Sequence, residues 1–233
     1  MNLSTCYRLN AIQSHITVYG IIRHNHSVYR YMRLNGVQSV TRRKIHAYPK
    51  TSNHEIPNLL QRNFNTDSSN KKWSIDISYI FAKDGLKYLC AIKDMYDKSI
   101  VAHSISSFID LKLVIETVEK ALDKVPCDQR RNLILHSDQG WHFTNWQYRK
   151  LLIDNEVKQS ISARGSSVDN VPIESFFSIL KSECIYLIDN LYKRDIETIV
   201  NDFINYYNNE RLQEKIKELT PIQFRELTLS ASF

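Results

Sequence analysis

Residues 73 to 125 change their hydrophobic period once, and that change constrains the fold more than any other feature of the chain. WSIDISYIF (73–81), GLKYLCAIKDM (85–95) and SIVAHSIS (99–106) are β-branched and aromatic runs separated by AKDG and YDK, spacers of hairpin length. They predict a three-stranded antiparallel meander. DLKLVIETVEKALDKV (110–125) then places Leu111, Val114, Ile115, Val118 and Leu122 on one helical face and stops before Pro126, the pattern of an amphipathic helix. Its apolar face needs a sheet to cover.

The remaining elements extend that sheet. NLILHS (132–137) reads as a buried strand, TNWQYRKLLIDN (144–155) as a helix capped by Thr144, and VKQSIS (157–162) as a short strand. A further helix begins near Val171 and Pro172, and another in RDIETIVNDFINYYNNERL, with Ile196, Ile199, Phe203 and Tyr206 as its expected apolar stripe. Three strands followed by alternating helices and strands predict an α/β fold with a mixed five-stranded sheet flanked by helices, because parallel returns need crossovers that cover the sheet. The expected division is a basic N-terminal segment with one helix at SVYRYMRLN and a linker over 1–70, a core over 71–185 and a helical extension over 186–233.

Charge separates the first region from the rest. The net charge of the 233 residues is +6, yet residues 1–72 hold eleven Lys and Arg against Glu55 and Asp67, a net of +9, which leaves −3 for the remainder. Arg42, Arg43 and Lys44 are consecutive, a run suited to a phosphate backbone, although a solvated basic surface reads the same way. No apolar run approaches the roughly 18 residues of a membrane span, and no signal-peptide core opens the chain, so a cytoplasmic protein with no membrane partner is expected. Cys6, Cys90, Cys127 and Cys184 form no CxxC pair and read as buried thiols.

Three acidic residues occupy informative places: Asp76 mid-strand, Asp138 just past the fourth strand and Glu174 in the first turn of its helix. Singly, each has a plain explanation as a strand-surface residue, a turn former before Gly140, or a partner of the helix dipole. If the first and fourth strands are neighbours, all three converge. Unit charges about 4 Å apart repel by roughly 4 kcal/mol at an effective dielectric of 20, so such a cluster takes up protons or holds metal. Oxygen-only ligands favour Mg²⁺ or Mn²⁺, and a pair of such ions supports in-line phosphoryl transfer. A Ser/His/Asp triad within His136, Ser137 and Asp138 fails because alternate strand residues face opposite ways. A zinc site built from His136, Asp138 and His142 lacks a fourth ligand. His136 is expected to order the strand end through a hydrogen bond to a carboxylate.

WSIDISYI, LILHSDQGWHFTNWQY, SARGSSVDNVPIESFFSILKSE and YYNNERLQEKIKELTPIQFR together resemble the bacterial insertion-sequence transposases with a retroviral-integrase-type core, specifically the OrfB-like product of the second reading frame. The resemblance runs from about Pro57 to Arg225 and includes 35 residues between Asp138 and Glu174. It implies an RNase H-like fold in which Asp76, Asp138 and Glu174 are the catalytic, metal-binding DDE triad for two Mg²⁺ (or Mn²⁺) ions. Lys181 matches the basic residue one heptad after the glutamate, on a helix face shared with Glu174 and Ser178, where it would hold a DNA phosphate. Arg164 in the loop 163–170 implies another DNA contact, Asn170 a supporting or capping role, and Thr220, Pro221, Phe224 and Arg225 a structural closing motif. The implied activity is cleavage of element ends and strand transfer. The implied partners are end and target DNA, further copies of the chain, and the product of an upstream reading frame.

Two departures accompany the match. The expected helix-turn-helix before the core is shortened within VYGIIRHNHSVYRYMRLNGV, and Asp97 with Lys98, and Ala102 with His103, replace the Ser-Arg and Gly-Trp common in the family. A remnant that binds DNA without catalysis, and a nuclease that only hydrolyses, are the alternatives.

Overall fold

A computed structural model of the protein describes residues 30, 33–35, 56–82, 85–162, 170–188 and 195–230. By its internal contacts the chain divides into two compact units, 1–52 and 53–233. In the first, Arg30, Arg33 and Leu34 are helical; the rest of the expected helix at 27–35, and Arg42, Arg43 and Lys44, lie outside the described residues.

The second unit is built on a five-stranded sheet. The meander forms as expected: β1 (Lys72–Ala82), β2 (Gly85–Asp94) and β3 (Ile100–Ser106) pair antiparallel. Helix α1 (Leu111–Leu122) follows, with Asp110 Oδ1 accepting from the Leu113 amide at 3.0 Å as its N-cap. After the short α2 (Cys127–Arg130) the chain returns as β4 (Ile134–Ser137), parallel to β1. Next come α3 (Trp141–Thr144), α4 (Trp146–Asp154) and β5 (Lys158–Ile161), the last parallel to β4. The strand order is β3-β2-β1-β4-β5, with β1 at the centre. Helices α5 (Val171–Glu183), α6 (Ile196–Asn209) and α7 (Pro221–Ser230) complete the unit.

Alternation along β1 sorts its side chains between two cores. Trp73 and Ile75 pack with Leu113, Val114, Val118 and Leu135 and with Tyr148 and Leu152 of α4. Ile80 and Ala82 pack on the other face with Ile173, Phe176 and Leu180 of α5 and Val200 and Tyr207 of α6. Both faces are therefore covered, as parallel pairing requires. This is the mixed, helix-flanked sheet expected from the sequence.

Several local expectations need correction. Helix α4 is capped by Asn145, whose Oδ1 accepts from the Gln147 amide at 2.9 Å; Thr144 instead ends α3 and donates its hydroxyl to the Trp141 carbonyl. The buried stripe of α6 is Ile196, Val200, Phe203, Ile204 and Tyr207. Ile199 is only partly buried and Tyr206 is exposed, because the stripe steps by four from Ile196 and so rotates away from both. Of the described cysteines Cys90 is buried, Cys184 half-buried and Cys127 exposed at the start of α2. Residues 57–59, assigned in sequence to the linker, lie along β5: the Ile161 amide donates to the Pro57 carbonyl and the Leu59 amide to Ser160 Oγ. Among the described residues, no helix is long and apolar enough to cross a membrane.

Candidate active site

Asp76 is placed by two periodicities. On β1 it shares a face with Ser74, Ser78 and Ile80, the face that α5 covers. In register, β1 and β4 pair Lys72 with Ile134, Trp73 with Leu135 and Ser74 with His136; two further residues carry Asp76 alongside Asp138. Asp138 follows the carboxyl end of β4, and Asp76 stands in the middle of β1 just past the point where its pairing with β4 stops, the side on which open α/β sheets present their ligand sites.

Asp138 is the first residue beyond β4 and is exposed. Its Oδ1 accepts from the Gly140 amide at 2.8 Å. A Cβ at residue 140 would stand 3.0 Å from that same oxygen and 3.2 Å from the Phe143 ring, so glycine is what lets the turn wrap the carboxylate. Glu174 lies in the first turn of α5, which begins with Pro172 pre-set at its N-terminal end. Ile173, Phe176, Phe177 and Leu180 anchor the buried face of this helix, while Glu174 and Ser178 are exposed and Lys181 half-buried.

The three carboxylates share one electrostatic field. Burial pushes Asp76 up to about 7, the Ile77 amide on its Oδ1 opposes this, and the charges of Asp138 and Glu174 push it further up. Glu174 is raised by partial burial and by Asp138. Among the described residues, no three His, Cys, Asp or Glu side chains are drawn together closely enough to hold an ion. The donor set nevertheless fits a hard divalent cation: it is all oxygen, and the charges on Asp76 and Glu174 are raised in energy by their acidic neighbours.

The supporting residues sit close by. His136, fully buried, is hydrogen-bonded through Nδ1 to Ser160 Oγ at 2.8 Å and through Nε2 to Ser162 Oγ at 3.1 Å. Both ring nitrogens are thus taken by serines of the next strand and its end, where a carboxylate was expected. Ser137 donates its hydroxyl to the Asp138 carbonyl at 3.0 Å. Asn170 occupies the N-cap position of α5, but its side chain caps no amide; Nδ2 donates instead to the Ile75 carbonyl at 3.3 Å. It clips the start of the Glu174 helix to the strand just before Asp76.

Lys181 Nζ lies 4.6 Å above the Tyr79 ring, and burial alone lowers its affinity for a proton. Arg164 lies outside the described residues. The sequence does not single out Tyr79, and it marks Gly140 only as the glycine after a turn-forming Asp138. No strand period links the first to Asp76, because residues three apart face opposite ways, while the tight turn after Asp138 signals the second.

Comparison with known proteins bears on this geometry. Two models described as integrase core domain match residues 66–167 and 174–229. The chain is 36% identical over 173 residues to a putative transposase, InsK, for insertion sequence element IS150 of Escherichia coli strain K12, covering 74% of this chain and 60% of that protein. It is 33% identical over 211 residues to an uncharacterized transposase-like protein of Haemophilus influenzae, covering 90% and 96%. The chain thus spans 60% of the length of the first of these relatives and nearly all of the second. Among solved structures, the HTLV-2 integrase catalytic core domain in complex with magnesium superposes with a TM-score of 0.55 at 13% identity over 69% of this chain and 99% of that one. The simian T-cell lymphotropic virus intasome in complex with PP2A regulatory subunit B56 gamma gives 0.59 at 12% identity over 91% and 70%. These likenesses establish the RNase H-like fold.

Proposed function

The chain belongs to the integrase core domain family of insertion-sequence transposases, and from that premise we propose that it cleaves the ends of a mobile element and joins them to target DNA at Asp76, Asp138 and Glu174. The observation that carries this reading is the β1–β4 register, which brings Asp76 beside Asp138 while Glu174 raises the energy of the charge on Asp76.

Asp76 and Asp138 would hold the two divalent ions, with Glu174 completing the second site. Mg²⁺ or Mn²⁺, when bound, supplies activation of the attacking oxygen and stabilisation of the leaving one. In the first step a water oxygen bonds to phosphorus as the bond from phosphorus to the 3′ oxygen breaks. In the second, the freed 3′-hydroxyl attacks a target phosphodiester in the same sense. Asn170 fixes the approach of the Glu174 helix to β1, His136 fixes the end of β4, and Lys181 holds a strand phosphate as a point charge. No covalent enzyme intermediate is needed.

Arg164 and the basic segment 1–70, including Arg42, Arg43 and Lys44, add contacts to the DNA backbone in this reading. Further copies of the chain and the product of an upstream frame would assemble with it on paired ends. A non-catalytic remnant is not favoured, since all three acidic positions are intact and grouped around the end of β4. The test is cleavage and joining of element-end DNA with Mg²⁺, using DNA read from either side of the gene. Activity is expected to vanish in EDTA and in Asp138→Asn; equal activity in that variant would sink the proposal.

A further inference from the structure

β1 outruns its parallel neighbour. Its pairing with β4 ends at Ser74 and His136, whereas its pairing with β2 continues to Ala82. Beyond Asp76 one edge of β1 is therefore unpaired among the described residues, and along it Tyr79 is 54% and Phe81 62% exposed. The two rings meet edge to face, with centroids 5.9 Å apart. Aromatic side chains on a strand edge, left outside both cores, are a costly use of apolar surface unless something covers them.

Lys181 supplies the second observation. Its Nζ stands over Tyr79, and among the described residues it forms no ion pair, whereas Lys71, Lys112 and Lys150 each take a carboxylate four residues away. A cation held by a ring face keeps its N–H donors directed outward.

The spacing ties this group to the carboxylates. Three strand residues from Asp76 to Tyr79 span roughly 10 Å, and seven helical residues from Glu174 to Lys181 rise about 10.5 Å. Although alternation turns Tyr79 and Phe81 to the face of β1 opposite Asp76, the contact of Lys181 with the Tyr79 ring joins the helix of Glu174 to that strand edge, and the two axial distances match. In duplex DNA that distance is about three steps of one strand.

We propose that Tyr79 and Phe81 are a stacking platform for an unpaired base of the element-end strand, with Lys181 gripping a phosphate between that base and the scissile bond. The proposal rests on the transposase reading above and adds to it a preference for frayed ends. A ring accepts any base face, so the platform reads strand separation and not sequence. Protein partners fit less well, because a lysine over the Tyr79 ring, with the Phe81 ring edge-on to Tyr79, suits a chain alternating flat bases with anions.

The experiment uses the full chain and an element-end duplex with its last few nucleotides either paired or unpaired. 2-Aminopurine replaces one unpaired base, and binding is followed with Asp138→Asn to suppress cleavage. Stacking should quench the fluorophore, and wild type should cleave frayed ends faster than paired ones. Tyr79→Phe should keep both effects. Tyr79→Ala, with its melting temperature checked, should lose the quenching and about tenfold in affinity for the frayed end only. If wild type cleaves but Tyr79→Ala and Phe81→Ala quench and discriminate as wild type does, the platform is wrong while the transposase reading stands. A change in oligomeric mass with unaltered DNA binding would assign the rings to a protein contact and overturn the proposal. Absence of any cleavage by wild type would remove the reading and the platform together.

Discussion

Two groups of acidic residues lie along β1, one beside its first residues and one around its middle, and the sheet treats them differently. Asp94 and Asp97, at the turn between β2 and β3, are completely buried and receive the guanidinium of Arg225: Nε donates to Asp97 Oδ2, and Nη2 to Asp94 Oδ2 at 3.2 Å. Asp94 also accepts from the Asn70 amide, Trp73 Nε1 and the Tyr96 amide. Burial and Asp97 still hold Asp94 above its ordinary range, with these donors and Arg225 opposing. In the second group Asp76, Asp138 and Glu174 have no arginine among the described residues, only one another and two backbone amides. A buried acid that must stay ionised for structure is given a permanent cation. The second group has no such cation, and Asp138 and Glu174 instead add to the repulsion on Asp76.

The largest effect expected from that contrast is chemical. Asp138→Asn should lower Mg²⁺-dependent cleavage on the order of 10³-fold, the several kcal/mol that metal assistance supplies, while leaving the melting temperature equal or higher because it removes a repulsion. Asp94→Asn should do the reverse, melting earlier with cleavage per folded molecule retained. If both variants lose stability equally, the contrast fails.

Arg225→Met comes next. Two buried carboxylates then lose their cation, at a cost of about 3 kcal/mol in urea unfolding, and adding Asp94→Asn with Asp97→Asn should recover much of it.

The pH dependence separates the groups further. Because Asp76 is raised from 3.8 to about 7 in the folded chain, the folded form binds its proton more tightly. The stability this contributes is complete below about 3.8 and is lost as pH rises through about 7. In EDTA the melting temperature should fall by roughly 10 °C across that window, less so in Asp76→Asn, and Mg²⁺ should stabilise most at the alkaline end. A flat difference between wild type and Asp76→Asn would remove the electrostatic argument.

Smaller effects test the scaffold. Gly140→Ala pushes a methyl group at Asp138 Oδ1 and should cost about tenfold in cleavage with little change in stability. Asn145→Ala removes a cap remote from both groups and should cost about 1 kcal/mol, leaving cleavage intact.

The meander, the α1 stripe and the parallel return of β4 and β5 were legible because each rests on a local period repeated several times. The positions of Asp76 and Asp138 followed from strand boundaries, and their pairing from the assumption that the first and fourth strands are neighbours. What escaped was set by distant partners. His136 finds Ser160 and Ser162 only once β4 and β5 are aligned. The α6 stripe is fixed by the shape of the surface it meets, and no single-helix period distinguishes Ile199 from Val200. Asp97 looked like a departure from family pattern; its partner Arg225, 128 residues away, makes it part of a pair.

That separation has a consequence for synthesis. At about 5–20 residues per second, Arg225 leaves the ribosome roughly 10 s after Asp94 and Asp97, so for that interval the emerging meander carries two acids that cannot be buried without penalty. A polypeptide that stops short of α7 lacks the guanidinium of Arg225 and should therefore melt earlier than the full chain.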